Sequence, residues 1–164
     1  MNLDNYDWGF SALCSTVNGT NGIRTPLTIS DRIKQDISGK VFCDLGCGEG
    51  DFALCCERYA SQVIGVELVP ERAEVARMKG LNVITGDILL KLPEADVYYC
   101  WVGVKVRQLY DMIPVGKMII FGFGDPLDLK PWLEGLPGVI HETMEYVREG
   151  IKMTFNIYKV KKEN

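Results

Sequence analysis

Two carboxylates and three glycines dominate the run Val41-Phe42-Cys43-Asp44-Leu45-Gly46-Cys47-Gly48-Glu49-Gly50. Glycine reaches positive φ and lets a ligand lie close to the backbone. A short apolar strand that enters such a loop ahead of a helix is the nucleotide-binding corner of a doubly wound α/β sheet. Asp44 and Glu49 decide which ligand the corner suits. Two carboxylates repel anionic phosphates and attract a cationic amino acid tail. The spacing, G-x-G-x-G rather than G-x-G-x-x-G, also separates this loop from the dinucleotide fingerprint.

Two further acids follow in order. Glu67 ends the apolar run Val63-Ile64-Gly65-Val66-Glu67, about 20 residues beyond the loop, where an acid accepts hydrogen bonds from ribose hydroxyls. Leu68, beside it, is counted among the cofactor contacts. Asp87 lies in Thr85-Gly86-Asp87-Ile88, where its carboxylate suits an exocyclic adenine amine and Ile88 suits the purine face. Each acid alone is an ordinary cap or turn residue. Together they stand at the carboxyl ends of successive strands, where open α/β sheets bind ligands.

The elements needed to position them are legible. The pattern predicts a helix from Thr25-Pro26 to about Ile37, ended by Gly39. It predicts strands over 40–45, 62–67, 82–85, 96–102 and 117–123, and helices over 51–59, 71–79 and 109–113. Two extended runs, 141–148 and 151–160, form a hairpin across Glu149-Gly150. The expected fold is α/β: a doubly wound, mostly parallel seven-stranded sheet with a C-terminal antiparallel hairpin. Residues 1–24 are expected to be an arm whose Tyr6, Trp8 and Phe10 pack on the body, and residues 25–164 a single domain. Phe121-Gly122-Phe123-Gly124-Asp125-Pro126, with Leu127, Leu129 and Trp132, reads either as a loop covering the sheet or as an acceptor rim.

Composition bounds the rest. The 164 residues suffice for one domain, and 47% hydrophobic content supports a core. A net charge of −4 and a pI near 5.1 argue against a strong electrostatic grip on nucleic acid. Lys159-Val160-Lys161-Lys162 reads as a solvated basic tail. No apolar run approaches the ~20 residues of a membrane span, and the polar start is unlike a secretory signal. The six cysteines contain no CxxC pair and there is one histidine. They read as free thiols of a cytoplasmic protein, with no metal site. His141 reads as structural.

The ordered set resembles the class I, Rossmann-like, S-adenosylmethionine-dependent methyltransferases. Asp44 to Gly50 matches the D/E-x-G-x-G-x-G motif, Glu67 the ribose-binding acid, and Gly86-Asp87-Ile88 the adenine motif. The resemblance implies that Asp44 meets the ammonium of the methionine moiety and that the backbone at Gly46, Cys47, Gly48 and Gly50 lies beneath the cofactor. Asp96 to Trp101 occupies the fourth motif without the N/D-P-P-Y/F of enzymes acting on planar nitrogens. Tyr99 and Trp101 are therefore the candidate catalytic residues, as aromatic walls of an acceptor channel suited to an amine. Thr25-Pro26, the glycine loop and Gly65-Val66-Glu67 are also similar to minimal non-SET protein-lysine methyltransferases. The expected acceptor is a protein side chain such as lysine, or a small molecule, ahead of nucleic acid. The alternatives are a cofactor-binding subunit without catalysis or dependent on a partner subunit, and an NAD or nucleotide-sugar enzyme on the same sheet.

Overall fold

The computed structural model describes residues 16–17, 20–21, 25, 28–101, 106–123, 128–148 and 151–163. The expected packing of Tyr6, Trp8 and Phe10, the helix start at Pro26, the loop residues 102–105 and 124–127, and the Glu149-Gly150 turn lie outside them. A two-residue ribbon, β1 (Thr16–Val17) and β2 (Thr20–Asn21), precedes the main body. The body alternates α1 (Ile29–Arg32), α2 (Lys34–Ile37), β3 (Val41–Leu45), α3 (Asp51–Cys56), β4 (Gln62–Glu67), α4 (Pro70–Met78), β5 (Asn82–Thr85), β6 (Val97–Trp101), α5 (Val106–Met112), β7 (Met118–Phe123), α6 (Lys130–Glu134), β8 (Ile140–Arg148) and β9 (Ile151–Lys161). Seven strands form one sheet in the order β5-β4-β3-β6-β7-β9-β8. β5, β4, β3, β6 and β7 pair in parallel. β9 runs antiparallel between β7 and β8. This is the expected mostly parallel sheet with its terminal hairpin.

Strand alternation divides the core into two layers. Phe42, Val97, Tyr99, Ile120, Phe155 and Ile157 face one layer, with Ile29, Ile33, Ile37 and Phe52. Cys43, Leu45, Tyr98, Cys100, Phe121 and Tyr158 face the other, with Leu109 and Leu133. Asp44 shares the parity of Phe42 and so points into the first layer.

The predicted helix over 25–37 is two short helices. Ile33 sits between them at φ −110° and ψ 3°, off the helical region. Ile29, Ile33 and Ile37 are nonetheless fully buried, so the four-residue spacing keeps the apolar stripe on one face through the break. α6 was not expected. Leu129 and Trp132 pack against the second core layer, as the covering-loop reading of this stretch expects. The Trp132 ring meets Tyr110 at 5.7 Å and Phe121 at 6.1 Å.

The basic C-terminus also departs from expectation. Lys159 is buried. Its Nζ donates to the Arg32 carbonyl at 3.1 Å and pairs with Asp36 at 2.8 Å and Glu142 at 3.3 Å. It therefore ties α1 and α2 to the hairpin. Lys162 Nζ donates to the Tyr110 carbonyl and lies 4.5 Å from the ring centroid. Sequence proximity to the chain end says nothing about partners supplied by distant elements.

Gly122 on β7 has no room for a side chain. The Tyr99 hydroxyl and the Phe155 ring occupy the space a Cβ would need. Gly122→Ala is expected to cost about 1–3 kcal/mol, as overpacking does, and to lower the melting temperature by a few degrees per kcal/mol. Thermal denaturation checks this, and Gly122→Ala with Tyr99→Phe should recover part of the loss.

Candidate active site

The glycine loop is held by the neighbouring strand. Gly46 N–H and Cys47 N–H both donate to the Val66 carbonyl, at 2.7 and 2.9 Å. Gly48 N–H donates to Glu67 Oε1 at 2.8 Å. Three successive loop amides are thus committed to β4. A phosphate cradle needs such amides free to face the anion, so this geometry argues against a pyrophosphate ligand as firmly as the acids do.

The three glycines serve different ends. Gly46, Gly48 and Gly50 all have positive φ, at 81°, 58° and 90°. A Cβ at Gly46 or Gly48 would meet open space, whereas one at Gly50 would press on Ala76 and Leu81 at 3.0 and 3.1 Å. Gly46 and Gly48 leave room over the sheet edge, and Gly50 seats the loop on α4. Cys47 contributes backbone alone: its buried Sγ fills the position of the absent Gly65 Cβ. Gly65 and Val66 are thus site-forming residues that the sequence reading passed over. The glycine inside an apolar strand was the available signal, since it marks close backbone approach.

Register places the acids and Trp101 on one stair. Asp44 is opposite Gly65 on β4 and Tyr99 on β6. Glu67 and Trp101 lie two residues further along those strands, on the same face as Asp44. Asp87 lies two residues beyond Thr85, the partner of Glu67. Asp44 is 4% exposed, and no donor among the described residues meets its carboxylate. Burial, and then the charge of Glu67, push its pKa up to about 8. Glu67 is 6% exposed, and its second oxygen accepts Val69 N–H at 2.9 Å. Asp87 Oδ1 accepts Leu89 N–H at 2.9 Å, the turn role that any acid at a strand end can take. Ile88 is half-buried against the second core layer, and Leu68 is 65% exposed.

The two aromatic candidates separate. Tyr99 has no exposed surface. Its hydroxyl hydrogen-bonds Thr25 Oγ1 at 2.8 Å and its ring packs on Phe52 at 4.8 Å. Burial holds its pKa well above the usual tyrosine value. The structure thus puts Tyr99 in the core beneath the site. Trp101 is partly buried at the end of β6, with its ring 5.2 Å from Phe155. Asp96, at the other end of β6, accepts Val41 N–H at 2.9 Å and pairs with Lys117, so it braces the far edge of the sheet. His141 is exposed, stacked on Tyr158 at 4.1 Å and bonded to Asn156.

A buried carboxylate without a donor has a pH signature. The Asp44 pKa is raised on folding, so its protonated form contributes stability that is present below the unfolded value near ~4. That stability is lost as pH climbs towards about 8. Asp44→Asn should therefore melt close to the wild type at pH 4–5 and several degrees above it at pH 8, in the absence of ligand. Equal melting temperatures at both pH values would contradict the assignment.

Residues 43–103 match a family described as a methyltransferase domain. No curated protein matches the sequence. Among solved structures, a Thermoplasma acidophilum protein superimposes with a TM-score of 0.67 at 19% identity, over 80% of this chain and 81% of the other. An RNA methyltransferase from Salinibacter ruber, crystallised with S-adenosyl-L-homocysteine, gives 0.63 at 19% identity over 87% and 95%. Magnesium protoporphyrin IX methyltransferase from Synechocystis, with bound S-adenosylmethionine, gives 0.60 at 15% identity over 81% and 78%. Sheet order and these superpositions lead to one conclusion: the chain has the fold of the class I, Rossmann-like methyltransferases, and residues 43–103 within it match a methyltransferase domain.

Proposed function

We propose that the chain methylates an acceptor presented beside Trp101, and that Asp44, Glu67 and Asp87 hold the donor along the stair of strand ends. The observation that carries this reading is Asp44, a buried carboxylate with no described donor on the face shared by Glu67 and Trp101. It suits the donor's α-ammonium. Gly46 and Gly48 leave open space where a backbone-hugging ligand fits. Glu67 offers its remaining lone pairs to ribose hydroxyls. The Asp87 carboxylate and the apolar sides of Ile88 and Leu68 suit an adenine. Bound S-adenosylmethionine supplies a methyl group already activated by its sulfonium leaving group, so the protein's work is orientation and exclusion of water.

On the acceptor side Trp101 is the aromatic at the strand end, partly exposed, whereas Tyr99 is fully buried. An indole face attracts a cationic or amine-bearing group. With a net charge of −4, this favours a protein amine such as lysine, or a small molecule. RNA is the second reading, favoured by the likeness to the Salinibacter RNA methyltransferase. Transfer of labelled methyl from S-adenosylmethionine in a cell lysate separates the two. Label in protein or small molecules supports the first reading, and label confined to RNA overturns it. Trp101→Ala should reduce the labelling at least tenfold while leaving S-adenosylhomocysteine binding within about threefold.

The donor site has its own test. S-adenosylhomocysteine should raise the melting temperature, and NAD should not. A cation on Asp44 favours its ionised form, which the free protein holds protonated below about pH 8. Binding therefore releases a proton. Affinity should rise by up to tenfold per pH unit between pH 6 and 8 and then level. Asp44→Asn should bind weakly with a flat pH profile. A wild-type profile equally flat over that range would remove Asp44 from the ammonium site.

A further inference from the structure

Glu67 is engaged on both oxygens by the protein itself. Oε1 accepts the Gly48 amide at 2.8 Å and Oε2 the Val69 amide at 2.9 Å. Both bonds are charge-assisted and shielded, since the residue is 6% exposed. One carboxylate thus joins the middle of the glycine loop to the turn that opens α4. The other loop anchors on β4 are the Val66 carbonyl and the gap at Gly65 that admits Cys47 Sγ. Glu67 is the one anchor among these in which a β4 side chain hydrogen-bonds the loop.

A carboxylate has about four lone-pair sites. Two amides leave room for two hydroxyls, so bracing the loop and meeting a ribose are compatible in one side chain. We propose that Glu67 is a positioning residue: it sets the shape of the glycine loop and of the 68–69 turn independently of any contact with the donor's ribose. The proposal rests on the reading of this corner as the donor site. Its consequence is that donor affinity depends on Glu67 through two separable routes, direct contact and loop order.

Glu67→Gln tests this, because an amide side chain has one oxygen for two N–H donors and must release one of them. Val69→Pro is the second variant. It removes the Val69 donor and leaves the carboxylate intact, at a residue whose φ of −83° lies near the proline range. Calorimetry would compare S-adenosylhomocysteine with its 2′,3′-dideoxy analogue, which lacks the ribose hydroxyls. Amide exchange at Gly48 and at residue 67 onward would be followed without ligand. Glu67→Gln should weaken binding of the dideoxy analogue roughly tenfold, as loss of a buried charged bond does, and should speed Gly48 exchange. Val69→Pro should weaken both ligands by a similar factor. The brace is overturned if Glu67→Gln binds the analogue as the wild type does, with the loss confined to S-adenosylhomocysteine. It is also overturned if Gly48 exchange is unchanged. Should Glu67→Gln fail to fold, equal affinities of Val69→Pro and wild type for both ligands would overturn it. Should the wild type bind neither ligand, the donor-site reading fails, and the exchange rates alone decide the brace.

Discussion

The hydrogen bonds from β4 to the glycine loop are the constraint on which the site rests. Gly46, Cys47 and Gly48 present three consecutive amides, and β4 takes all of them through Val66 and Glu67. That choice removes the usual reason for a glycine loop, which is to offer amides to phosphate. It leaves a rigid shelf of bare backbone beside a carboxylate. Parallel pairing of β3 with β4 is needed for this, because it places the end of β4 level with the loop that leaves β3. The buried thiol of Cys47 and the missing Cβ of Gly65 let the two come close enough.

Around that shelf, charge is arranged by depth. Asp44 is deep and without a described donor, so the interior resists its ionisation. Glu67 is comparably buried, and each of its oxygens already accepts a backbone amide. Asp87 is half-buried and bonds its own turn. The three acids that looked alike in the sequence therefore differ in what they have left to offer a ligand.

Much of the fold, and the grouping of the three acids at neighbouring strand ends, was legible for a physical reason. Strand runs, loop glycines and acids at strand ends are local patterns, and parallel β/α alternation converts local order into spatial order. What was not legible depends on distant contacts. Trp132 and Leu129 read as a loop until α6 brought them against Phe121 and Tyr110. Lys159 read as solvated because nothing near it in sequence reveals Asp36 and Glu142. Tyr99 and Trp101 are two residues apart on one face, and sequence cannot say that the sheet edge falls between them. Thr25 completes that distinction from the opposite end of the domain.

The packing at Gly122 has a consequence for how this protein can diverge. The Tyr99 hydroxyl fills the gap left by the missing side chain and reaches Thr25 from there. Size at position 122 and the presence of an oxygen at position 99 are therefore a single exchangeable unit. A descendant can trade a larger residue on β7 for a shorter one on β6, yet doing so gives up the tether to Thr25. The neighbouring strands β6 and β7 thus change together, and the segment ahead of α1 inherits the result.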